Sequence, residues 1–134
     1  MAAKEILVID DDPIILLIHQ VVLESALPAV SCQYFEDARK ALLYMEQCAG
    51  SDKEFLLFLD INMPVVSGWD LLEEIRNSVF KENVFVVMVT SSVNEGDKIK
   101  AGHYQNIYDF ISKPLKEEHL IKLREIEEIK AFII

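Results

Sequence analysis

Short unbroken apolar runs, separated by stretches with helical periodicity, constrain this chain more than any other feature. Ile6-Leu7-Val8-Ile9, Phe55-Leu56-Leu57-Phe58-Leu59 and Val84-Phe85-Val86-Val87-Met88-Val89 are continuous, and Tyr108-Asp109-Phe110-Ile111 is a shorter fourth. A strand shows an unbroken run, rather than alternation, when helices cover both of its faces. A fifth, more polar strand is predicted around Val30–Tyr34, where Cys32 and Tyr34 alternate with Ser31 and Gln33 as suits a sheet edge. Between the runs, Ala38, Ala41, Leu42 and Met45 follow the i, i+3, i+4, i+7 spacing of a helix face. Leu71, Leu72, Ile75 and Val79 mark another helix, and Leu120, Leu123, Ile126 and Ile129 a third near the C-terminus. Residues 13–27 are apolar almost all round, with Asp12 as N-cap and Pro13 at the first helical position. Glu95–Tyr104 favours a helix least, since Gly96 and Gly102 each cost about 1 kcal/mol. The order is a strand and a helix repeated five times. That alternation predicts an α/β fold, a doubly wound five-stranded parallel sheet with right-handed crossovers and helices on both faces. Sheets of this kind place their chemistry at the carboxyl ends of the strands.

The chain has 134 residues, one domain's worth, and no linker or repeat divides it. The expectation is therefore one domain over residues 1–134. Its formal charge of −10 disfavours a surface that binds phosphate backbones or anionic lipid. No apolar run approaches the roughly 18 residues of a membrane span, and the N-terminus lacks the pattern of a secretory signal. Cys32 and Cys48 lack metal-ligand spacing and suit a reducing compartment, so the expected location is cytoplasmic.

The polar residues at the strand ends are the candidate site. In chain order, the first predicted strand ends in Asp10-Asp11-Asp12, the third in Asp60, the fourth in Thr90-Ser91-Ser92, and the fifth is followed by Ser112-Lys113-Pro114. Crowded carboxylates repel one another, and one of them stays protonated unless a cation neutralises the group. A hard divalent ion such as Mg²⁺ fits, because it takes oxygen ligands and uses one or two carboxylates plus phosphate oxygens. Lys113 adds a fixed positive charge, and the Thr90 hydroxyl can donate to a phosphoryl oxygen. Phosphoryl transfer asks mainly for positioning and charge stabilisation, and an Asp carboxylate can itself be the nucleophile.

At these residues the chain resembles the receiver domains of two-component response regulators. The resemblance lies in Val8-Ile9-Asp10-Asp11-Asp12, Leu59-Asp60-Ile61-Asn62-Met63-Pro64, Gly68, Val89-Thr90-Ser91 and Phe110-Ile111-Ser112-Lys113-Pro114, in the family's order and spacing. It implies a flavodoxin-like sheet with strand order 2-1-3-4-5. It implies that Asp60 accepts the phosphoryl group, that Asp11 binds Mg²⁺ directly, and that Asp10 completes the acidic pocket through water. The backbone carbonyl of Asn62 would be a further metal ligand, and Thr90 and Lys113 would contact the phosphoryl group. Lys113-Pro114 would be a cis peptide, and Thr90 with Phe110 would form the switch. Asn62 and Ser92 sit where the family tunes dephosphorylation. The implied partners are a sensor histidine kinase or a histidine phosphotransfer protein. The chain ends one helix after Lys113-Pro114, which leaves no room for an output domain, so output is expected through protein contact or onward phosphotransfer.

Three places depart from common family patterns. Phe110 stands at a switch position where tyrosine is also frequent. Gly102-His103-Tyr104-Gln105-Asn106-Ile107 lacks the usual small pair before the last strand, and Ser67 precedes Gly68 where an acid is common. His19, His103 and His119 are scattered and are read as structural or surface residues, and Trp69 as a packing residue. The apolar tail Ala131-Phe132-Ile133-Ile134 can pack on the core, extend the last helix, or join a homodimer face near that helix. Three other functions compete. A Mg²⁺-dependent phosphatase would want a second acid that Asp60-Ile61-Asn62 does not supply. A phosphorylation-independent docking module would not need Asp10, Asp11, Asp60, Thr90 and Lys113 together. An FMN carrier would want a Ser/Thr/Gly phosphate loop in place of acidic strand ends.

Overall fold

A computed structural model describes residues 3–91 and 94–133. Its sheet runs β1 (Lys4–Ile9), β2 (Cys32–Phe35), β3 (Glu54–Leu59), β4 (Val84–Thr90) and β5 (Ile107–Ser112). The helices are α1 (Pro13–Ala26), α2 (Ala38–Gln47), α3 (Gly68–Arg76), α4 (Glu95–Ala101), α5 (Glu117–Leu123) and the short α6 (Glu127–Lys130). All strand pairs are parallel and the order is β2-β1-β3-β4-β5, as the resemblance implies.

The unbroken apolar runs are explained by two cores, one on each side of the sheet. Leu7, Ile9, Leu57 and Leu59 face Ala41 and Met45 of α2 and Leu72 and Ile75 of α3. Their sequence neighbours Ile6, Val8, Leu56 and Phe58 face Leu16 and Leu23 of α1 and Leu120 and Leu123 of α5. A strand with apolar side chains on both faces has no use for polar alternation. Strand β2 is one edge, opposite β5, and its residues are only half buried or exposed.

The structure corrects the sequence reading at several element ends. Helix α3 stops at Arg76, because Asn77 turns its side-chain amide back onto the Glu73 carbonyl; Val79 lies outside the helix and is 91% exposed. The last helix is two pieces. Ile126 takes an extended conformation, and the bend returns Ile129, Phe132 and Ile133 to the core, so tail burial overrides helix propensity. Phe132 packs on Phe85 at 5.5 Å between ring centres, and Arg124 Nε donates to the Ile133 carbonyl at 2.9 Å. Of the alternatives for the tail, packing on the core is the one found for Phe132 and Ile133; Ile134 lies outside the described residues. Helix α4 ends at Ala101, short of Tyr104, and β2 begins at Cys32. Helix α1 buries one face through Leu16, His19 and Leu23, while Ile14, Leu17, Ile18 and Val21 are exposed. Among the described residues, no helix is long and apolar enough to cross a membrane.

Candidate functional site

Sheet register builds the site. Ile9 pairs with Leu59, so the next residues, Asp10 and Asp60, emerge side by side from the carboxyl ends of β1 and β3. The ladder continues through both: Asp10 N–H donates to Phe35 O at 3.1 Å and Asp60 N–H to Ile9 O at 3.0 Å. Thr90 ends β4 opposite Ser112 of β5, and the Lys113 amide donates to Thr90 O at 2.8 Å. Asp10, Asp60 and Thr90 are 1%, 3% and 0% exposed, which is unusual for two carboxylates. Asp11 is exposed at the mouth. Asp12 caps α1, accepting from Ile14 N–H at 2.9 Å, and its own amide donates to Asp10 Oδ1 at 3.0 Å.

Lys113 joins the acids. Its Nζ lies 2.6 Å from Asp10 Oδ2 and 3.2 Å from Asp60 Oδ2. The peptide that follows, Lys113-Pro114, is cis. One ammonium shared by two buried carboxylates leaves the pair under-neutralised. Burial, and then the Asp10 charge, push Asp60 up to about 6, against the opposing pull of Lys113. Burial works against the Lys113 ammonium, but its contacts with Asp10 and Asp60 outweigh it and raise its pKa.

Carboxylate oxygens of Asp10, Asp11 and Asp60 all come within 4.8 Å of one another. Three hard oxygen donors, two of them buried, form a donor set suited to Mg²⁺ rather than to a soft metal. Asn62, two residues past Asp60, is exposed, and its amide donates to Asp60 Oδ1 at 3.4 Å. Ser92 lies outside the described residues.

The loop after Asp60 is held from the other side by α3. Gly68 packs on the Asp60 backbone: a Cβ there would sit 2.4 Å from the Asp60 carbonyl oxygen, so only glycine fits. Ser67 begins α3 with a capping box, accepting from Asp70 N–H while Asp70 accepts from Ser67 N–H. That accounts for a serine where an acid is common. Val65 carries φ 68, a left-handed conformation that a β-branched residue adopts only under strain. Trp69 stacks on Tyr104 at 5.7 Å, a packing role as expected. Phe110 is half buried and packs against the α2/α3-side core.

His19, read from the sequence as a structural or surface residue, is structural, and its partner lies near the site. His19 of α1 is 1% exposed, and its Nε2 accepts from Leu115 N–H at 3.0 Å, two residues past Lys113. A polar residue in the buried i, i+3, i+7 series Leu16, His19, Leu23 is the signal that marks it.

Comparison with known proteins gives the family and the fold. The profile of the family described as "Response regulator receiver domain" matches residues 6–125. The chain is 28% identical to hybrid signal transduction histidine kinase C of Dictyostelium discoideum over 95% of its own length and 10% of that protein's. It is 30% identical to a two-component response regulator of Arabidopsis thaliana over 96% of its own length and 62% of that protein's. The chain thus spans less than two thirds of either relative. The crystal structure of a two-component response regulator from Cytophaga hutchinsonii superposes with a TM-score of 0.81 at 23% identity, covering 93% of this chain and 96% of that one. That likeness is one of fold.

Proposed function

Because this chain belongs to the response regulator receiver domain family, a family of two-component signalling, we propose that it is a switch operated by a phosphoryl group on Asp60. The observation that carries the reading is the Lys113 ammonium held between Asp10 and Asp60 at the strand ends, with Thr90 buried beside them. The donor is a phosphohistidine on a sensor histidine kinase or a histidine phosphotransfer protein. An Asp60 carboxylate oxygen attacks phosphorus, a P–O bond forms, the P–N bond breaks, and its electron pair returns to the donor imidazole. Lys113 and the Thr90 hydroxyl hold the phosphoryl oxygens, and hydrolysis of the acyl phosphate resets the switch. Asp11, Asp60 and the Asn62 carbonyl, with Asp10 through water, would hold Mg²⁺, which when bound would supply charge neutralisation for the transferring group. Output follows when Thr90 and Phe110 rearrange and alter a protein contact, or when the group passes to a further histidine. The free thiols of Cys32 and Cys48 support a reducing, cytoplasmic setting.

The test is direct. Incubation with Mg²⁺ and a small acyl phosphate donor, followed by intact mass measurement, is expected to show one added phosphoryl group that is absent in Asp60→Asn and without Mg²⁺. No adduct on the wild type, or an adduct that persists in Asp60→Asn, overturns the reading.

A further inference from the structure

The three buried positions of α1 are Leu16, His19 and Leu23. Two are apolar, as a helix face packed on a sheet requires, and the third is an imidazole with 1% exposure. A ring buried this deeply needs a hydrogen-bond partner, and the one found is the amide of Leu115, 3.0 Å from Nε2. Because Nε2 accepts, the ring proton sits on Nδ1 and the imidazole is neutral. Burial favours that neutral state and the Lys113 charge adds to it, against the pull of Asp10.

The amide is itself worth holding. Leu115 is fully buried, so water does not serve its N–H, and Pro114 before it has no N–H at all. Lys113 therefore lies between two tethers: its own amide on Thr90 O at 2.8 Å, and the Leu115 amide on His19. Between them the Lys113 ammonium reaches Asp10 Oδ2 and Asp60 Oδ2.

We propose that His19 is a positioning residue that locks the Lys113-Pro114-Leu115 turn onto α1 and thereby sets the reach of Lys113 into the acidic pocket. The inference rests on the proposed phosphoryl-acceptor role of the pocket for its kinetic consequence, and on the hydrogen bond alone for its structural one. An apolar side chain at position 19 fills the space but strands the Leu115 amide, and the turn moves to find another acceptor. Glutamine has a carbonyl oxygen on a chain long enough to take over from Nε2.

The experiment compares wild type, His19→Leu and His19→Gln. Labelling by a small acyl phosphate with Mg²⁺ is followed well below every variant's melting temperature. Long-range ¹⁵N–¹H correlation reads the His19 tautomer, and hydrogen exchange reads the Leu115 amide. The expected results are an Nδ1–H tautomer in the wild type and a Leu115 amide protected in wild type and His19→Gln but not in His19→Leu. Labelling is expected to slow about tenfold in His19→Leu and to recover in His19→Gln, since small misplacements of a catalytic group are costly. An Nε2–H tautomer, wild-type labelling in His19→Leu, or equal slowing in both variants overturns the proposal. If His19→Leu does not fold, His19→Met, with its flexible apolar chain, takes its place under the same criteria. If the wild type accepts no phosphoryl group, the acceptor reading fails, and the tautomer and the Leu115 amide still decide whether the lock exists.

Discussion

Replacing Asp60 by asparagine is expected to stabilise the metal-free protein, by an amount that depends on pH in a defined direction. In the folded chain, burial and then the Asp10 charge raise Asp60 from its ordinary 3.8 to about 6 against the attraction of Lys113. The folded state thus holds this proton more tightly than the unfolded chain. The resulting stability is fully present below 3.8 and is lost as pH rises through about 6. The whole displacement corresponds to about 3 kcal/mol, of which about 1.4 kcal/mol develops between pH 5 and pH 8. Asparagine has nearly the size of the protonated acid and carries no charge at any pH, so the variant escapes the loss. Urea denaturation of both proteins in a chelator, at pH 5 and pH 8, measures the difference. The advantage of Asp60→Asn is expected to grow by about 1.4 kcal/mol across that interval. Added Mg²⁺ is expected to raise the wild type more than the variant and to narrow the gap. An advantage that stays constant with pH, or a variant less stable than the wild type at pH 8, refutes the account of an under-neutralised pair.

Four further outcomes follow from named contacts. Gly68→Ala is expected to abolish or severely slow labelling of Asp60 and to lower the melting temperature, because the new Cβ collides with the Asp60 carbonyl; calorimetry with intact mass after acyl phosphate treatment checks both. Val65→Gly is expected to stabilise by about 1 kcal/mol in urea titrations, by relieving a left-handed β-branched residue. Phe132→Ala is expected to cost about 3 kcal/mol in the same assay, since the ring is buried against Phe85. Glu5→Leu is expected to cost about 2–4 kcal/mol, because Tyr44, Ser31 and Lys53 all lose their shared acceptor; an unchanged urea midpoint would remove Glu5 from the account of stability.

The sheet was legible because burial on both faces leaves one kind of trace, an unbroken apolar run, and β1, β3 and β4 each carry it. Element ends were less legible for a local reason: Asn77 and Ile126 stop helices through side-chain and tertiary contacts that periodicity does not encode. The acids of the pocket were legible because they follow the strand runs directly. The partner of His19 was not, because a lone structural histidine in an apolar helix looks the same whether or not an amide from Leu115 meets it. Only the fold brings those two residues together.

Two buried carboxylates in one sheet differ in how fully their charge is met. Glu5, near the start of β1, is 2% exposed, as deep as Asp60. Burial alone raises its pKa, yet hydrogen bonds from Tyr44, Ser31, Lys53 and Gln33 more than reverse that and leave it lowered. Every lone pair at that end has a donor, so the ionised form is the stable one and has nothing left to bind. Asp60, at the opposite end, meets one shared ammonium and a long backbone contact, and its pKa is raised. A carboxylate left short of donors gains most from an incoming cation or from esterification, since either removes the uncompensated charge. The same strand therefore holds a carboxylate that stabilises the fold at one end, and at the other it flanks one whose unmet demand for positive charge suits the proposed acceptor role.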